Sequence, residues 1–252
     1  GAAGVDYAML GPVETRTWSS DGQAFRLVYR QGHAPESTAA VRETLSSAAE
    51  GLRVGSTDAR VNVFAPSTPI RGGGLTMPQR AWMTTQDFWA HRGSWTGENG
   101  NTWVHEYVHT RQNYTSSGGM EWFDEGSAEY FEYLLSYHQG QLSFDGDGGF
   151  HDEMVTTGEA AAGGVLSNPD QWPTAYVEYE KGSRVLAALD AKIRRATDGQ
   201  RSLQHVFARM NRRDGVEYAD FQAIVETVAG TPMDDWLDRY VRTDAVPSVP
   251  DD

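Results

Sequence analysis

Two histidines and a glutamate near the middle of the chain have the residue types and the spacing that a metal ion requires. The segment is His105-Glu106-Tyr107-Val108-His109, an H-E-x-x-H sequence. On a helix, side chains four residues apart project from the same face, so both histidines can present an imidazole nitrogen to one zinc ion. Glu106 lies about 100° further round such a helix and can reach a zinc-bound water as a general base. The segment therefore predicts a zinc centre that activates water.

A run of acidic residues downstream offers the remaining protein ligand. Glu125, Glu129 and Glu132 share one helical face by their i, i+4 and i+7 spacing, within a segment that is otherwise largely aromatic or small. Carboxylates on a helix that packs into an apolar core need a cation or hydrogen-bond partners. Two histidines and one glutamate leave the fourth position of a tetrahedral zinc open for water, which is typical of a catalytic site.

A resemblance to a known family rests on three motifs in sequence order. H-E-x-x-H followed by a helix that begins W-F-x-E-G-x-A-E-Y resembles the gluzincin metallopeptidases, and within them the glycyl aminopeptidase and membrane alanyl aminopeptidase families. The third motif, Tyr179-Glu180-Lys181-Gly182, is similar to the Y-x-K-G segment of those enzymes. The likeness covers roughly residues 100–245. It implies a thermolysin-like zincin catalytic domain.

The resemblance implies a role for each residue of the zinc centre. His105, His109 and Glu125 are the expected ligands of one zinc ion per chain. Glu106 is the expected general base. Glu129 competes for the third ligand position, because nineteen residues separate it from His109, as in thermolysin-like enzymes, against fifteen for Glu125. The E-G-x-A-x-Y context favours Glu125, since the intervening loop can vary in length whereas the ligand's place at the helix start is fixed by geometry.

Two further residues are expected to assist the reaction. By the resemblance, Tyr179 donates a hydrogen bond to the oxyanion of the tetrahedral intermediate and so stabilises charge that exists only in the transition state. The structural alternative for Tyr179 is an aromatic at a helix start packed against Val177 or Val185, and Tyr176 is the competitor in a shifted register. Glu132 falls where the family places a carboxylate that hydrogen-bonds a zinc-bound histidine, and Glu129 would then lie beside the ligands.

The chain departs from the family in its glycine-rich segment. The family's aminopeptidases carry a glutamate in an edge strand that binds the free amine of the substrate. The comparable stretch here is Gly72-Gly73-Gly74-Leu75-Thr76-Met77. Thr76 takes the place of the acid, although Gly73–Thr76 can still bind a peptide by β-augmentation. Either Glu98 or Asp87 supplies the missing charge, or the enzyme is not a strict aminopeptidase.

These motifs favour zinc-dependent hydrolysis of peptide bonds, by an endopeptidase or an atypical aminopeptidase, with a peptide or protein as substrate. The alternative is a non-catalytic peptide-binding module that retains the zincin fold. The presence of both Glu106 and Tyr179 argues against it, because a decayed enzyme commonly loses one such residue. A hydrolase of non-peptide substrates is a third reading.

Composition limits the other classes of function. The 252 residues carry 35 acids against 21 bases, a formal net charge of −14, so the surface should repel nucleic acid. The chain has no cysteine, which excludes disulfides and thiolate metal sites. No apolar run is long enough to cross a membrane. We expect a monomer that is secreted or held at the cell surface, with the cytoplasm of a halophile as the alternative.

The pattern of helices and strands expected around these residues predicts an α+β fold in one catalytic unit. Residues 1–117 are expected to form a lobe with a small mixed sheet and the zinc helix, and residues 118–252 a mostly helical lobe. Periodicity and turn residues predict the elements of the first lobe. These are strands at 23–30, 60–65 and 75–84, the last confined to an edge by Pro78, and a helix from 35–37 to about Leu52, after an irregular lead-in over 1–20.

Helices dominate the rest of the chain. Asn101 and Thr102 can cap the helix that bears the two histidines. Gly140–Gly164 is glycine-rich and acidic, so we expect a long loop there. The remaining periodic segments predict helices at 122–138, within 172–195, at 202–212, at 218–228 and from Thr231-Pro232 onward.

Overall fold

The protein is described by a computed structural model that covers residues 1–55, 57–67, 73–78, 83–94, 100–160 and 163–250, without the side chains of 157–160. Gly72, Glu98 and part of the strand predicted over 75–84 lie outside the described residues. The chain divides into two compact units. The first comprises Gly1–Leu52, Ser56–Gln112 and Phe131–Leu142, and the second comprises Arg53–Gly55, Asn113–Tyr130 and Ser143–Asp252.

The first unit is built on a five-stranded mixed sheet. The strands of the unit are β1 (Ala2–Ala3) and β2 (Ala8–Met9), which form a separate pair, and β3 (Val13–Ser20), β4 (Gln23–Arg30), β5 (Arg60–Ala65), β6 (Gly74–Thr76) and β7 (Thr85–Ala90), which form the sheet. The sheet has the order β3-β4-β5-β7-β6, with parallel pairing among β4, β5 and β7 and antiparallel strands at both edges. The strands predicted at 23–30 and 60–65 are confirmed with the same bounds. The strand predicted from Leu75 is β6, an edge strand as expected, and it ends at Thr76.

The prediction of an irregular lead-in over residues 1–20 is wrong. β1 and β2 pair with each other, and β3 pairs with β4 along its whole length. Asp21 and Gly22 connect β3 to β4 with positive φ angles of 45° and 79°, as in a two-residue hairpin turn. An Asp-Gly pair next to an alternating strand is a sequence signal for such a hairpin.

Two helices and the N-terminal hairpin pack on this sheet. α1 spans Thr38–Gly51, close to its predicted bounds, and Ser37 caps it by accepting a hydrogen bond from the amide of Ala40. α2 spans Thr102–His109 and packs against α1, β6 and β7. A separate apolar cluster joins the β1–β2 hairpin to the sheet. Its members are Val28, Phe64 and Trp89 with Ala2, Tyr7, Met9 and Val13.

The second unit is mostly helical. The helices are α3 (Trp122–His138), α4 (Phe150–Ala160), α5 (Val177–Ala196), α6 (Leu203–Met210), α7 (Tyr218–Ala229) and α8 (Asp234–Val241), beside a 3-10 turn at Pro169–Gln171 and the short parallel pair β8 (Thr115–Ser116) and β9 (Gly215–Val216). α3 begins in this unit and ends in the first. Phe123 packs edge-to-face on Phe207 and Phe221 at the centre of the unit.

Two predictions in this part of the chain need correction. The long loop expected at 140–164 contains α4, because Phe150 and Met154 recur at helical spacing and are both buried. α8 begins at Asp234 rather than at Thr231. The helix predicted at 122–138 is confirmed with the same bounds. Among the residues that the structure describes, no helix combines the length and apolar character needed to cross a membrane.

Two glycines allow α3 and α5 to come into backbone contact. A Cβ atom built on Gly126 would lie 3.0 Å from the carbonyl oxygen of Glu178 and 3.0 Å from the Cα atom of Gly182. A Cβ atom on Gly182 would in turn lie 3.0 Å from the Cα atom of Gly126 and 3.4 Å from the ring of Trp122. The obstacles are mainly backbone atoms, which cannot rotate away. Only glycine fits at these two positions without a shift of one helix.

We expect Gly126→Ala to lower the free energy of unfolding by about 1–3 kcal/mol, because overpacking a close contact costs about that much. The direction of this change is informative. Alanine in an unobstructed helix is favoured over glycine by about 1 kcal/mol, so without the close contact the variant would be more stable than the parent. Urea unfolding measures the change. Ser183→Ala is the matched control, because it alters a buried neighbour on α5 whose hydroxyl bonds the carbonyl of Glu180. A Gly126→Ala variant as stable as the parent would contradict the contact.

Candidate metal centre

The short helix α2 presents both histidines of the H-E-x-x-H segment. Its first turn is capped by Asn101, whose side-chain oxygen accepts a hydrogen bond of 3.2 Å from the amide of Val104. Val104 and Val108 are fully buried, so they fix one face of the helix in the core. His105 and His109 follow these valines by one residue each, so they lie about 100° further round α2, one above the other. Their ring centroids are 5.0 Å apart and their planes are inclined by 70°.

The Nδ1 atom of each histidine faces an oxygen acceptor. His105 Nδ1 lies 3.0 Å from Oε2 of Glu132, and His109 Nδ1 lies 2.8 Å from Oε1 of Gln112. A carboxylate and an amide oxygen can only accept, so both rings donate from Nδ1. In a neutral imidazole the other nitrogen then carries a lone pair. Both histidines are thereby set in the tautomer that binds a metal through Nε2.

The two Nε2 atoms lie 3.3 Å apart. Nitrogens that bind one tetrahedral zinc ion at about 2.0–2.1 Å are separated by about 3.3–3.4 Å, so the observed spacing fits a shared zinc ion. If both rings are neutral with Nδ1 protonated, two lone pairs face each other at this distance and repel, and a shared metal ion or proton removes that repulsion. Among the described residues, His105, His109 and glutamates of α3 supply groups that could hold a metal ion.

Glu132 connects His105 to the start of α2. Its carboxylate accepts hydrogen bonds from the ring of His105 and from the backbone amide of Asn101. The side-chain amide of Asn101 in turn donates to Thr44 at 2.8 Å and to Gln141 at 3.0 Å. Glu132 is buried, so these bonds compensate the loss of hydration of its charge. The predicted place of Glu132 beside a histidine agrees with this geometry.

Glu106 lies against the edge strand β6. Thr76 Oγ1 is 2.8 Å from Oε2 of Glu106 and 2.9 Å from its backbone oxygen. A Cβ atom on Gly74 would lie 2.5 Å from Oε1 of Glu106, so a larger residue there would displace the carboxylate from its observed position. The charge of Glu106 also reaches Tyr7, whose phenol donates to the carbonyl of Leu75. Burial, and then the charges of Glu106 and of two aspartates, raise the pKa of Tyr7 to about 12.

The edge strand offers backbone groups on its outer side. Gly73 accepts a hydrogen bond from the amide of His91, so Gly73 and Leu75 are the residues that bond to β7. Hydrogen-bonded and non-bonded positions alternate in an antiparallel ladder, and Gly74 and Thr76 therefore turn their amides and carbonyls away from β7. β6 is the last strand of the described sheet on this side. This arrangement is the one that strand addition by a peptide requires.

Asp87 and Glu98 are the two acids that the sequence offers in place of an amine-binding glutamate. Asp87 is fully buried, and its carboxylate accepts hydrogen bonds from the amides of Asp6 and Tyr7 and from the side chain of Asn62. These contacts anchor the N-terminal segment and do not favour Asp87 as a partner for a substrate amine. Glu98 is outside the described residues.

The remaining candidates lie in the second unit. Glu125 and Glu129 occupy the first two turns of α3 and are half-buried. The close contact at Gly126 places the turn next to Glu125 against the first turns of α5, where Tyr179 is half-buried. Tyr176 is 64% exposed, with its ring centroid 6.2 Å from that of Tyr179. The roles of these side chains stay predictions.

The lysine of the Y-E-K-G segment holds two loops together. Lys181 is fully buried, and its ammonium donates to the carbonyls of Gly164 and Thr243, each at 2.7 Å. Burial lowers the pKa of Lys181 to about 8, and the charge of Asp244 opposes part of that shift. The segment thus combines a structural lysine, a packing glycine at 182 and the candidate Tyr179.

Sequence reasoning missed one residue of this site, Gln112, and one contact, that of Thr76 with Glu106. Gln112, the partner of His109, follows it by three residues, which is a spacing at which side chains meet in a helical turn. The spacing between His109 and Gln112 could therefore have predicted their contact. The hydrogen bond from Thr76 to Glu106 joins residues thirty positions apart in the sequence and had no local signal.

Comparison with known proteins gives similarity at the level of structure. No protein-family model matches the chain, and no curated protein matches it. The structure is similar to an M1 zinc metallopeptidase from Deinococcus radiodurans, with 20% identity and a TM-score of 0.66 over 95% of this chain and 54% of that one. An aminopeptidase N family protein from Idiomarina loihiensis has 17% identity and a TM-score of 0.59, covering 95% of this chain and 47% of its own.

A third similar structure is Legionella pneumophila aminopeptidase A in complex with aspartic acid, with 12% identity and a TM-score of 0.60, covering 92% of this chain and 28% of that chain. The chain thus spans about half or less of the length of these neighbours. At such identities the similarity shows the fold: a mixed α+β arrangement found in zinc metallopeptidases of the aminopeptidase type.

Proposed function

We propose that the chain is a zinc-dependent peptidase in which His105, His109 and Glu125 hold one zinc ion. The observation that carries the proposal is the pair of Nε2 atoms 3.3 Å apart on α2, each on a ring whose Nδ1 faces an acceptor. Repulsion between these nitrogens would favour other rotamers unless a cation is shared. Three protein ligands leave one position for water, which is the arrangement of a catalytic zinc rather than of a structural one.

Helix geometry and one glycine support Glu125 as the third ligand. Glu125 precedes Glu132 by seven residues on the continuous helix α3, so the two project from the same face about 10 Å apart. Glu132 hydrogen-bonds His105, which supports a role in zinc binding for this face of α3. Glu129 shares the face, but Glu125 adjoins Gly126, where α3 meets the helix of Tyr179. Glu129 remains the alternative ligand.

The reaction would use two side chains, those of Glu106 and Tyr179, beside the zinc ion. Zinc, when bound, supplies a Lewis acid that lowers the pKa of a coordinated water and polarises the peptide carbonyl. Glu106 adjoins His105 on α2 and accepts the proton of the attacking water, which it then passes to the leaving amine. Tyr179 donates a hydrogen bond from its phenol to the carbonyl oxygen, which gains negative charge in the transition state. In this proposal the domain is a thermolysin-like zincin.

Peptides or proteins are the proposed substrates, bound along β6 through the outward backbone groups of Gly74 and Thr76. No acid occupies position 76, and Asp87 is engaged by the N-terminal segment, so nothing described in the first unit favours capture of a free amine. This supports an endopeptidase or an atypical aminopeptidase. The monomeric state, export from the cell and a boundary between lobes near residue 117 stay predictions.

A peptide library tests the proposal. The zinc-loaded protein is incubated with mixed peptides, one half carrying blocked N-termini, and the products are identified by mass spectrometry beside those of Glu106→Gln. We expect internal cuts in both halves, and none with the variant. Loss of single N-terminal residues from unblocked peptides alone would identify an atypical aminopeptidase. No cleavage by protein that retains zinc would overturn the proposal and favour the non-catalytic peptide-binding module.

A further inference from the structure

The residue that replaces the family's amine-binding acid is hydrogen-bonded to the candidate base. Thr76 Oγ1 lies 2.8 Å from Oε2 of Glu106 and 2.9 Å from the backbone oxygen of the same residue. Glu106 lies in the second half of α2, where the carbonyls of Tyr107, Val108 and His109 accept hydrogen bonds from the amides three residues further on. The hydroxyl of Thr76 has a single hydrogen, which the backbone oxygen and the carboxylate of Glu106 share.

The bond to the carboxylate restricts a flexible side chain. A glutamate has several rotatable bonds, and a base that samples several rotamers is in the productive position for only part of the time. A hydroxyl that donates to an ionised carboxylate forms a charge-assisted bond, which is stronger than a bond between neutral groups. Glu106 is 6% exposed, so water competes little for this bond.

The same strand provides the space for the carboxylate. Gly74 lies two residues before Thr76 and so faces the same side of β6. A Cβ atom at Gly74 would lie 2.5 Å from Oε1 and 2.6 Å from Cγ of Glu106. Gly74 thus admits the end of the side chain while Thr76 holds its other oxygen. Together they form a carboxylate seat, Gly74 and Thr76 of β6, fitted to one rotamer of Glu106.

We propose that Thr76 is a positioning residue, which holds the carboxylate of Glu106 in the orientation that meets the attacking water. The strand position that serves the amine of the substrate in the family's aminopeptidases serves the general base here. The effect on turnover rests on the proposed peptidase function. The effect on the conformation of Glu106 does not.

Thr76→Val tests the kinetic part, because valine keeps the shape of threonine and removes the hydroxyl. We expect kcat on a peptide substrate to fall about 10- to 100-fold, as a misplaced catalytic group does, with KM changed less than about twofold. Thr76→Ser, which keeps the hydroxyl, should restore kcat to within about threefold of the parent. Zinc content should stay the same in all three proteins. An unchanged kcat, or a raised KM with the parental kcat, would overturn the inference.

Crystal structures of the zinc-free parent, Thr76→Ser and Thr76→Val proteins supply a readout that needs no activity. We expect one conformer of Glu106 in the first two proteins and a rotated or multiple conformer in Thr76→Val. The parental conformer in Thr76→Val would overturn the positioning role even if the protein cleaves no peptide. Failure of the parent to cleave any peptide overturns the proposed function instead, so the two failures are distinguishable.

Discussion

Glu106→Gln should lower kcat for peptide hydrolysis by about 100- to 10,000-fold, the range that a general base contributes. Glutamine has the shape of glutamate and its amide oxygen can still accept the hydrogen bond of Thr76, but it cannot take a proton from water. The imidazole rings of His105 and His109 keep their partners Glu132 and Gln112, so zinc should remain bound. Steady-state kinetics and metal analysis of the same preparation measure both effects.

Glu121→Gln is the matched control for this substitution. Glu121 is exposed at the start of α3, and its carboxylate accepts a hydrogen bond from the amide of Gly119. The control removes one negative charge of the same kind without touching α2, so its kcat should equal that of the parent. If Glu106→Gln retained more than about a third of the parental kcat with zinc bound, Glu106 would not be the base.

Glu125→Gln should weaken zinc binding by more than about 100-fold, because loss of a ligand costs more than loss of a partner that orients one. Glu129→Gln should weaken it by about 10- to 100-fold at most if Glu129 lies beside the ligands. Both residues are half-buried acids four positions apart on α3, so each variant is the matched control of the other. Competition with a chelator of known affinity measures the two dissociation constants.

The order of the two affinities decides the assignment. A larger loss with Glu129→Gln would make Glu129 the third ligand, in agreement with the nineteen-residue spacing from His109. Equal losses of about tenfold would mean that neither carboxylate binds the ion directly. Circular dichroism of the zinc-free proteins checks that α3 is retained in both.

Elements that carry a strong local pattern were predictable. β4 alternates apolar and polar residues and α3 carries an apolar, aromatic face, and both were predicted with the bounds that the structure has. β3 was missed because apolar and polar residues alternate only weakly along it, although the Asp21-Gly22 turn that follows indicates a hairpin. α4 was missed because the glycines and acids around it outweighed the spacing of Phe150 and Met154.

The residues of the candidate metal centre were also predictable only in part. The two histidines were predictable, because their spacing is a property of one helix. The contact of Glu132 with His105 was anticipated only through the resemblance, and the contact of Thr76 with Glu106 was not anticipated. Strand β6 meets α2 through the packing of the whole sheet, which depends on side chains distributed over the first unit. Tertiary contacts of this kind have no signature in a single local segment.

The alternation along β6 has a consequence for the kind of chain that could be cut. A peptide paired with the outward groups of Gly74 and Thr76 is gripped at two points about 7 Å apart, and both points are main-chain atoms. Binding through main-chain atoms depends little on the side chains of the peptide, but it requires an extended stretch whose backbone groups are not already hydrogen-bonded. Selection among proteins would then follow local unfolding, so exposed tails and frayed loops would be cut while the same sequence inside a helix would survive.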